Sequence, residues 1–129
     1  MRNYHLYKNY VCPHCFEQIN NCKCKNLPWN LIQIDVGIQE AIRKLNRKGY
    51  CTVYCCESHY KTSLSIYVLF RKQYKFDSIP DGFKLSNFNG LPKIEHIIKN
   101  NKNEEDFNIE KEKYLKHFID WSNKLKENK

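Results

Sequence analysis

Four of the chain's seven cysteines fall within thirteen positions, as Cys12-Pro-His-Cys15 and Cys22-Lys-Cys24, and this cluster limits the possible folds more than any other feature. A Cys-x-x-Cys turn lets two thiolates reach one ion, and a second close pair completes a tetrahedron. The second pair is spaced more tightly than usual, and its sulfurs converge if the backbone turns there. Asn20-Asn21 is placed to make the turn between the pairs. A disulfide framework calls for an even cysteine count and a secretory start. The count is odd, and the opening MRNYHLYKNYVC has no apolar stretch. A thioredoxin-type redox pair needs a βαβ context that residues 1–30 lack. Cys12, Cys15, Cys22 and Cys24 are therefore the candidate ligands of a structural Zn2+, closed to substrate because four thiolates leave no open position. Such an ion folds a segment that cannot bury enough apolar surface by itself. His14 reads as a bystander in the turn.

The whole chain has 129 residues, 41% of them apolar and 14% aromatic, which suits one domain with a real core and excludes wholesale disorder. No run approaches the roughly 18 apolar residues of a spanning helix, so a cytoplasmic protein is expected. Residues 1–30 form the expected zinc knuckle. Residues 31–129 form an α+β body, a small antiparallel sheet packed by helices, with a C-terminal helix in the same compact unit.

Within that body, Ile38, Ala41, Ile42 and Leu45 share one helical face, so a helix is expected over 36–48, with Asp35 as its N-cap and Gly49 at its C-terminal stop. Tyr50–Cys56 reads as a strand, Glu57–Thr62 as a turn, and the alternation of Leu64, Ile66, Val68 and Phe70 as a second strand. A weaker strand, Phe83–Phe88, lies between Asp81-Gly82 and Asn89-Gly90 turn signals. Pro92 followed by Ile94, Ile97 and Ile98 reads as a short helix. The polar run KNNKNEED reads as a linker before a last helix over 109–127. In that helix Tyr114, Phe118, Trp121 and Leu125 form a stripe of the kind that packs a core.

A net charge of +8 points to a polyanionic partner. Lys, Asn, Ile and Tyr, all with AT-rich codons, supply 54 of 129 residues, so a low-GC genome accounts for part of that charge. Position separates the two sources. Residues 36–98 carry ten basic and five acidic groups, while 99–129 are nearly balanced at eight and seven. Lys23, Lys25, Arg43, Arg47 and Lys48 are the candidate phosphate contacts, although the last three also suit the closing turn of a helix. Tyr4, Tyr7, Tyr10, Phe16 and Trp29 are available to stack bases or to cover the knuckle.

A second group, Cys55, Cys56 and His59, lies at a strand end and its loop. Three readings stay open. The group can be a second metal site with a fourth ligand such as His5 or water. It can be a Cys–His nucleophilic pair oriented by Glu57. Or it can be a structural, ligand-contacting loop. Cys51 reads as an apolar filler. With four glycines in the chain and no G-x-G-x-x-G segment, nothing points to a nucleotide cofactor.

The run Leu45, Asn46, Lys48, Gly49, Tyr50, followed by Cys55, Cys56 and His59, resembles an LN-x-K-G-Y…CC-x-G-H core. That core occurs in small uncharacterised zinc-binding proteins of low-GC Gram-positive bacteria and their phages. Ser58 stands where the pattern has Gly. The combined expectation is a small zinc-binding protein that interacts with nucleic acid or a nucleoprotein complex. The phage resemblance adds the expectation of an anti-CRISPR-like inhibitor of a host defence system. The alternative is a nucleotide- or RNA-acting enzyme using the Cys55/Cys56/His59 turn.

Overall fold

The structure, a computed structural model, describes residues 10–12, 17, 32–99 and 103–128. Cys15, Cys22, Cys24, Lys23, Lys25, His5, Tyr4, Tyr7, Phe16 and Trp29 lie outside the described residues. Two short strands, β1 (Tyr10–Val11) and β2 (Ile32–Gln33), pair antiparallel with Val11 opposite Ile32. This pair sets residues 10–11 beside residues 32–33. A 3-10 turn (Val36–Ile38) then leads into helix α1 (Gln39–Arg47). Strands β3 (Thr52–Cys56), β4 (Ser65–Phe70), β5 (Lys84–Phe88) and β6 (Leu91–Ile97) form one antiparallel sheet in the order β3-β4-β6-β5. Helix α2 (Glu104–Lys124) completes the fold. The α+β reading holds, with α1 and α2 as its helices.

Alternation along the strands gives the sheet two unlike faces. Ile66, Val68 and Phe70 of β4 and Ile94 of β6 turn inward and join Ile38 of the 3-10 turn, Ile42 and Leu45 of α1, and Phe107, Leu115, Phe118 and Trp121 of α2 in one buried cluster. The aromatic stripe of the last helix is therefore core, as its spacing indicates.

Three expectations need correction. The short helix at Pro92 is a strand, β6. Asn89 and Gly90, at φ 52° and 84°, reverse the chain as a two-residue hairpin, and that turn forces residues 91–97 to pair with β5. The i, i+4 spacing of Ile94 and Ile98 fits a two-residue alternation equally well. The last helix begins at Glu104, inside the run read as a linker. The Asn103 side chain accepts a bond from the Asp106 N–H at 2.8 Å, and three acidic residues occupy the first turn, where the helix dipole favours them. Finally, Asp35 stands at the N-cap position and its carbonyl accepts the Ile38 N–H at 3.1 Å, but its side chain makes no capping bond. Its carboxylate is used elsewhere.

The Leu45–Tyr50 motif has a structural explanation. Asn46 Nδ2 donates to Thr52 Oγ1 at 3.0 Å, and Asn46 Oδ1 accepts from the Thr52 N–H at 3.2 Å, so helix end and strand start are tied. Gly49 sits at φ 93° against the Asn128 backbone, a left-handed position where a side chain would also crowd its neighbour. Lys48 Nζ donates to the carbonyls of Ser122 (2.7 Å), Asn123 (2.9 Å) and Leu125 (2.6 Å), and Tyr50 Oη donates to that of Lys126 at 2.9 Å. The end of α1 thus clamps the end of α2.

Candidate metal centre

The sequence Cys55-Cys56-Glu57-Ser58-His59 places successive side chains on opposite faces of the sheet until the strand stops. Cys55 lies opposite Val68 and Cys56 opposite Tyr67. Cys55 therefore turns inward and packs against the core. Burial there, with the charges of Asp35 and Cys56 adding, pushes its thiol up to about 12. A thiol in that state is a poor nucleophile near neutral pH, and its inward direction keeps it apart from Cys56 on the other face. Alkylation with iodoacetamide at pH 8, read by peptide mass spectrometry, is expected to modify Cys55 roughly 10³-fold more slowly than an ordinary exposed thiol. Modification at an ordinary rate would contradict its placement.

Cys56 faces the other way. Its sulfur, one nitrogen of His59 and one carboxylate oxygen of Asp35 all lie within 4.8 Å of one another. Asp35 Oδ2 is 3.1 Å from His59 Nε2 and also accepts the Glu57 N–H at 3.1 Å. Cys56 Sγ accepts the Ser58 N–H at 3.3 Å and lies 3.3 Å from Ser63 Oγ. The donors thus have outer hydrogen-bond partners of the kind that orient metal ligands. The Asp35 side chain is 25% exposed and that of His59 44%, so the group opens to solvent on one side.

The loop that presents His59 is held by its backbone. His59 N–H donates to the Ser63 carbonyl at 2.6 Å, and the Ser63 N–H returns to the His59 carbonyl at 2.9 Å. Ser58 is fully buried with φ at 77°, and its hydroxyl also donates to the Ser63 carbonyl at 2.8 Å. A left-handed backbone favours Gly, so Ser at this position is strained. Ser58→Gly relieves about 1–2 kcal/mol of strain against a lost hydrogen bond worth about 0.5–1.5 kcal/mol. Ser58→Ala loses the bond and keeps the strain. Urea unfolding is therefore expected to find the Gly variant about 1 kcal/mol more stable than the Ala variant. Equal stability of the two would contradict the strained loop.

The structure thus brings together two of the three residues expected at this turn, Cys56 and His59, and replaces Cys55 with Asp35. Glu57 does not orient His59, and its carboxylate lies 3.9 Å from Lys111 Nζ. Asp35 was not legible as a site residue because 21 positions separate it from Cys56 and its local context matches a helix cap.

Of the four clustered cysteines, Cys12 is described. Its side chain is fully buried, and its N–H donates to the Glu17 carbonyl at 2.9 Å. The Glu17 carboxylate meets Arg47 at 2.5 Å and Arg43 at 3.1 Å. The Arg47 hydrogen bond, aided by both positive charges and opposed by desolvation, holds the Glu17 carboxyl below the usual carboxylate range. Its folded pKa lies below its unfolded one. The pairing is complete above the ordinary carboxylate pKa of about 4.3 and is lost as pH falls through the lowered value. Arg43, Arg47 and Lys48, expected to face phosphates, are thus engaged within the chain, and Lys44 contacts Asn123 and Glu40.

No protein-family model, curated protein or solved structure matches the chain. No helix among the described residues is long and apolar enough to cross a membrane.

Proposed function

We propose that this chain is a small zinc-binding protein that interacts with nucleic acid or a nucleoprotein complex. The convergence of Asp35, Cys56 and His59 carries the metal part of that reading. One oxygen, one nitrogen and one sulfur donor form a set that suits borderline ions such as Zn2+. Ligand bonds of about 2.0–2.3 Å put tetrahedral donors roughly 3.3–3.8 Å apart, close to the 3.1 Å between Asp35 and His59. The Cys12/Cys15/Cys22/Cys24 cluster is the second, structural site, supported by the spacing of its thiols and by the β1–β2 pair that flanks it in the sequence. The positive charge of the chain supports a phosphate-bearing partner. A host nucleoprotein inhibited by a phage-borne chain is the setting that the resemblance favours.

A second reading rests on one observation. Three protein donors with a half-exposed histidine leave a fourth coordination position open, the arrangement of zinc sites that activate water. A hydrolytic enzyme acting on a nucleotide or RNA would use Asp35, Cys56 and His59 in this way.

Cobalt substitution tests the centre. Co2+ bound by thiolate gives an intense near-ultraviolet charge-transfer band. Cys56→Ser and Asp35→Ala are each expected to lower the cobalt bound per chain by one equivalent, and Cys55→Ser to leave it unchanged. Unaltered binding in both of the first two variants would overturn the site.

A further inference from the structure

The sheet face that does not pack on the helices carries its own cluster of aromatic side chains. Tyr54 on β3 and Phe88 on β5 are 65% and 50% exposed, and they are the two aromatic members of the large apolar side chains left in solvent among the described residues. Both line a single depression of about 410 Å³ that crosses all four strands, with Tyr67 and Leu69 of β4 and Lys93 of β6. The Lys93 ammonium lies 4.9 Å from the Tyr67 ring centre and 5.7 Å from that of Phe88. It also lies 3.2 Å from Glu95 Oε2. Flat rings around a cation, presented on a rigid sheet, offer stacking surfaces and a charge to something flat and negatively charged.

Charge identifies the occupant. Residues 61–99, which supply β4, β5, β6 and their connections, carry seven basic and three acidic groups, whereas α2 on the opposite side carries four and six. Arg71, Lys72 and Lys75 in the β4–β5 connection and Lys84 at the start of β5 are exposed. Arg71 and Lys72 directly follow β4 at the end of the sheet where the β5–β6 hairpin lies, and Gln73 bonds the Gly90 carbonyl there. The cations of α1, by contrast, are held by Glu17, Glu40 and the end of α2. Across the order β3-β4-β6-β5, Tyr54 and Phe88 are three strand spacings apart and two residues offset along the strand, about 16 Å in all. A sheet platform of this size accepts a run of two or three bases.

We propose that the Tyr54/Tyr67/Phe88/Lys93 face binds single-stranded nucleic acid, with bases stacked on Tyr54 and Phe88 and the backbone led past Lys93 toward Arg71 and Lys72. The proposal rests on the nucleic-acid part of the reading above and gives it a place on the molecule. Unstacked bases fit the rings, whereas a duplex hides its base faces. DNA and RNA share this chemistry, so both are tested.

The full chain is titrated into fluorescein-labelled ten-nucleotide oligo(dT) and oligo(rU), and anisotropy is read at 50 and 200 mM salt. Binding of either strand is expected, weakening as salt rises. Tyr54→Ala and Phe88→Ala are each expected to weaken it roughly tenfold. Lys93→Gln is expected to lower the salt slope by about one. Ile109→Ala, at a residue 61% exposed on α2, leaves binding unchanged. All four positions lie at the surface, and thermal melts confirm that the variants fold. If the wild-type chain binds neither strand at 50 mM salt, both this proposal and the nucleic-acid reading fall. If binding persists undiminished in the Tyr54→Ala/Phe88→Ala double variant, only this face is wrong. A dimer in sedimentation that Phe88→Ala dissociates would also overturn it, because a second copy would then cover the rings.

Discussion

Phe118→Ala is expected to destabilise the chain by about 3–5 kcal/mol, read as a shift in the urea midpoint at unchanged slope. Phe118 is fully buried, and its ring packs 5.7 Å from both Phe83 and Trp121. Truncation removes a large apolar side chain from the one cluster that joins α2 to the sheet. It leaves a cavity that neighbouring rings can fill only by leaving their rotamers. Trp121 has little freedom to move, because its Nε1 donates to the Ser78 carbonyl at 3.0 Å. Tyr54→Ala removes a ring of similar size from the open face and is expected to cost less than about 1 kcal/mol. Comparable losses at the two positions would contradict the assignment of inner and outer faces.

Lys48→Met is expected to cost about 2–3 kcal/mol. Methionine keeps most of the aliphatic stem, so the loss reports the ammonium itself. That ammonium serves the carbonyls of Ser122, Asn123 and Leu125, which have no further helical turn to bond them. Hydrogen bonds to a charged group contribute about 1.5–3 kcal/mol, and a cation at a helix C-terminus up to about 2 kcal/mol in partly buried geometry. The contributions overlap, which is why the expected cost stays below their sum. Hydrogen exchange should show the last turn of α2 opening first. A variant as stable as the wild type would mean that water replaces the ammonium without cost.

The same lysine shows where sequence reading stops. Its position at the C-cap of α1 was legible from the Ile38–Leu45 stripe and from Gly49. The object it meets was not, because Ser122 lies 74 positions away and offers a backbone carbonyl, which no side-chain pattern marks. Arg43 and Arg47 are a similar case, their partner Glu17 lying near the first cysteine pair. The strands β3 and β4 were legible because β-branched and aromatic residues alternate there. β6 was misread because Pro92 and three isoleucines satisfy two periods at once, and the Asn89-Gly90 turn decides between them. In the candidate centre, Cys56 and His59 stood out by residue type and by their place at a strand end. Asp35 did not, since an aspartate before a helix has an ordinary explanation. The open-face aromatics were readable in principle. Tyr67 alternates with the buried Ile66 and Val68, and Tyr54 with the inward Cys55.

The metal centre and the aromatic face are neighbours. Cys56 lies opposite Tyr67 across the β3–β4 pair. Desolvation, followed by the charges of Cys56, Cys55, Asp35 and Glu95, raises the Tyr67 phenol above its ordinary value. An ion at Asp35, Cys56 and His59 would thus fix the corner of the sheet on which that ring stands.

Native mass spectrometry of the intact chain, purified without chelator, tests the metal account most directly. Two divalent ions per chain are expected, with Cys56→Ser keeping only the ion of the four-cysteine cluster and Cys12→Ser keeping only the ion at Asp35, Cys56 and His59. A folded wild-type chain whose mass shows no bound metal would contradict it.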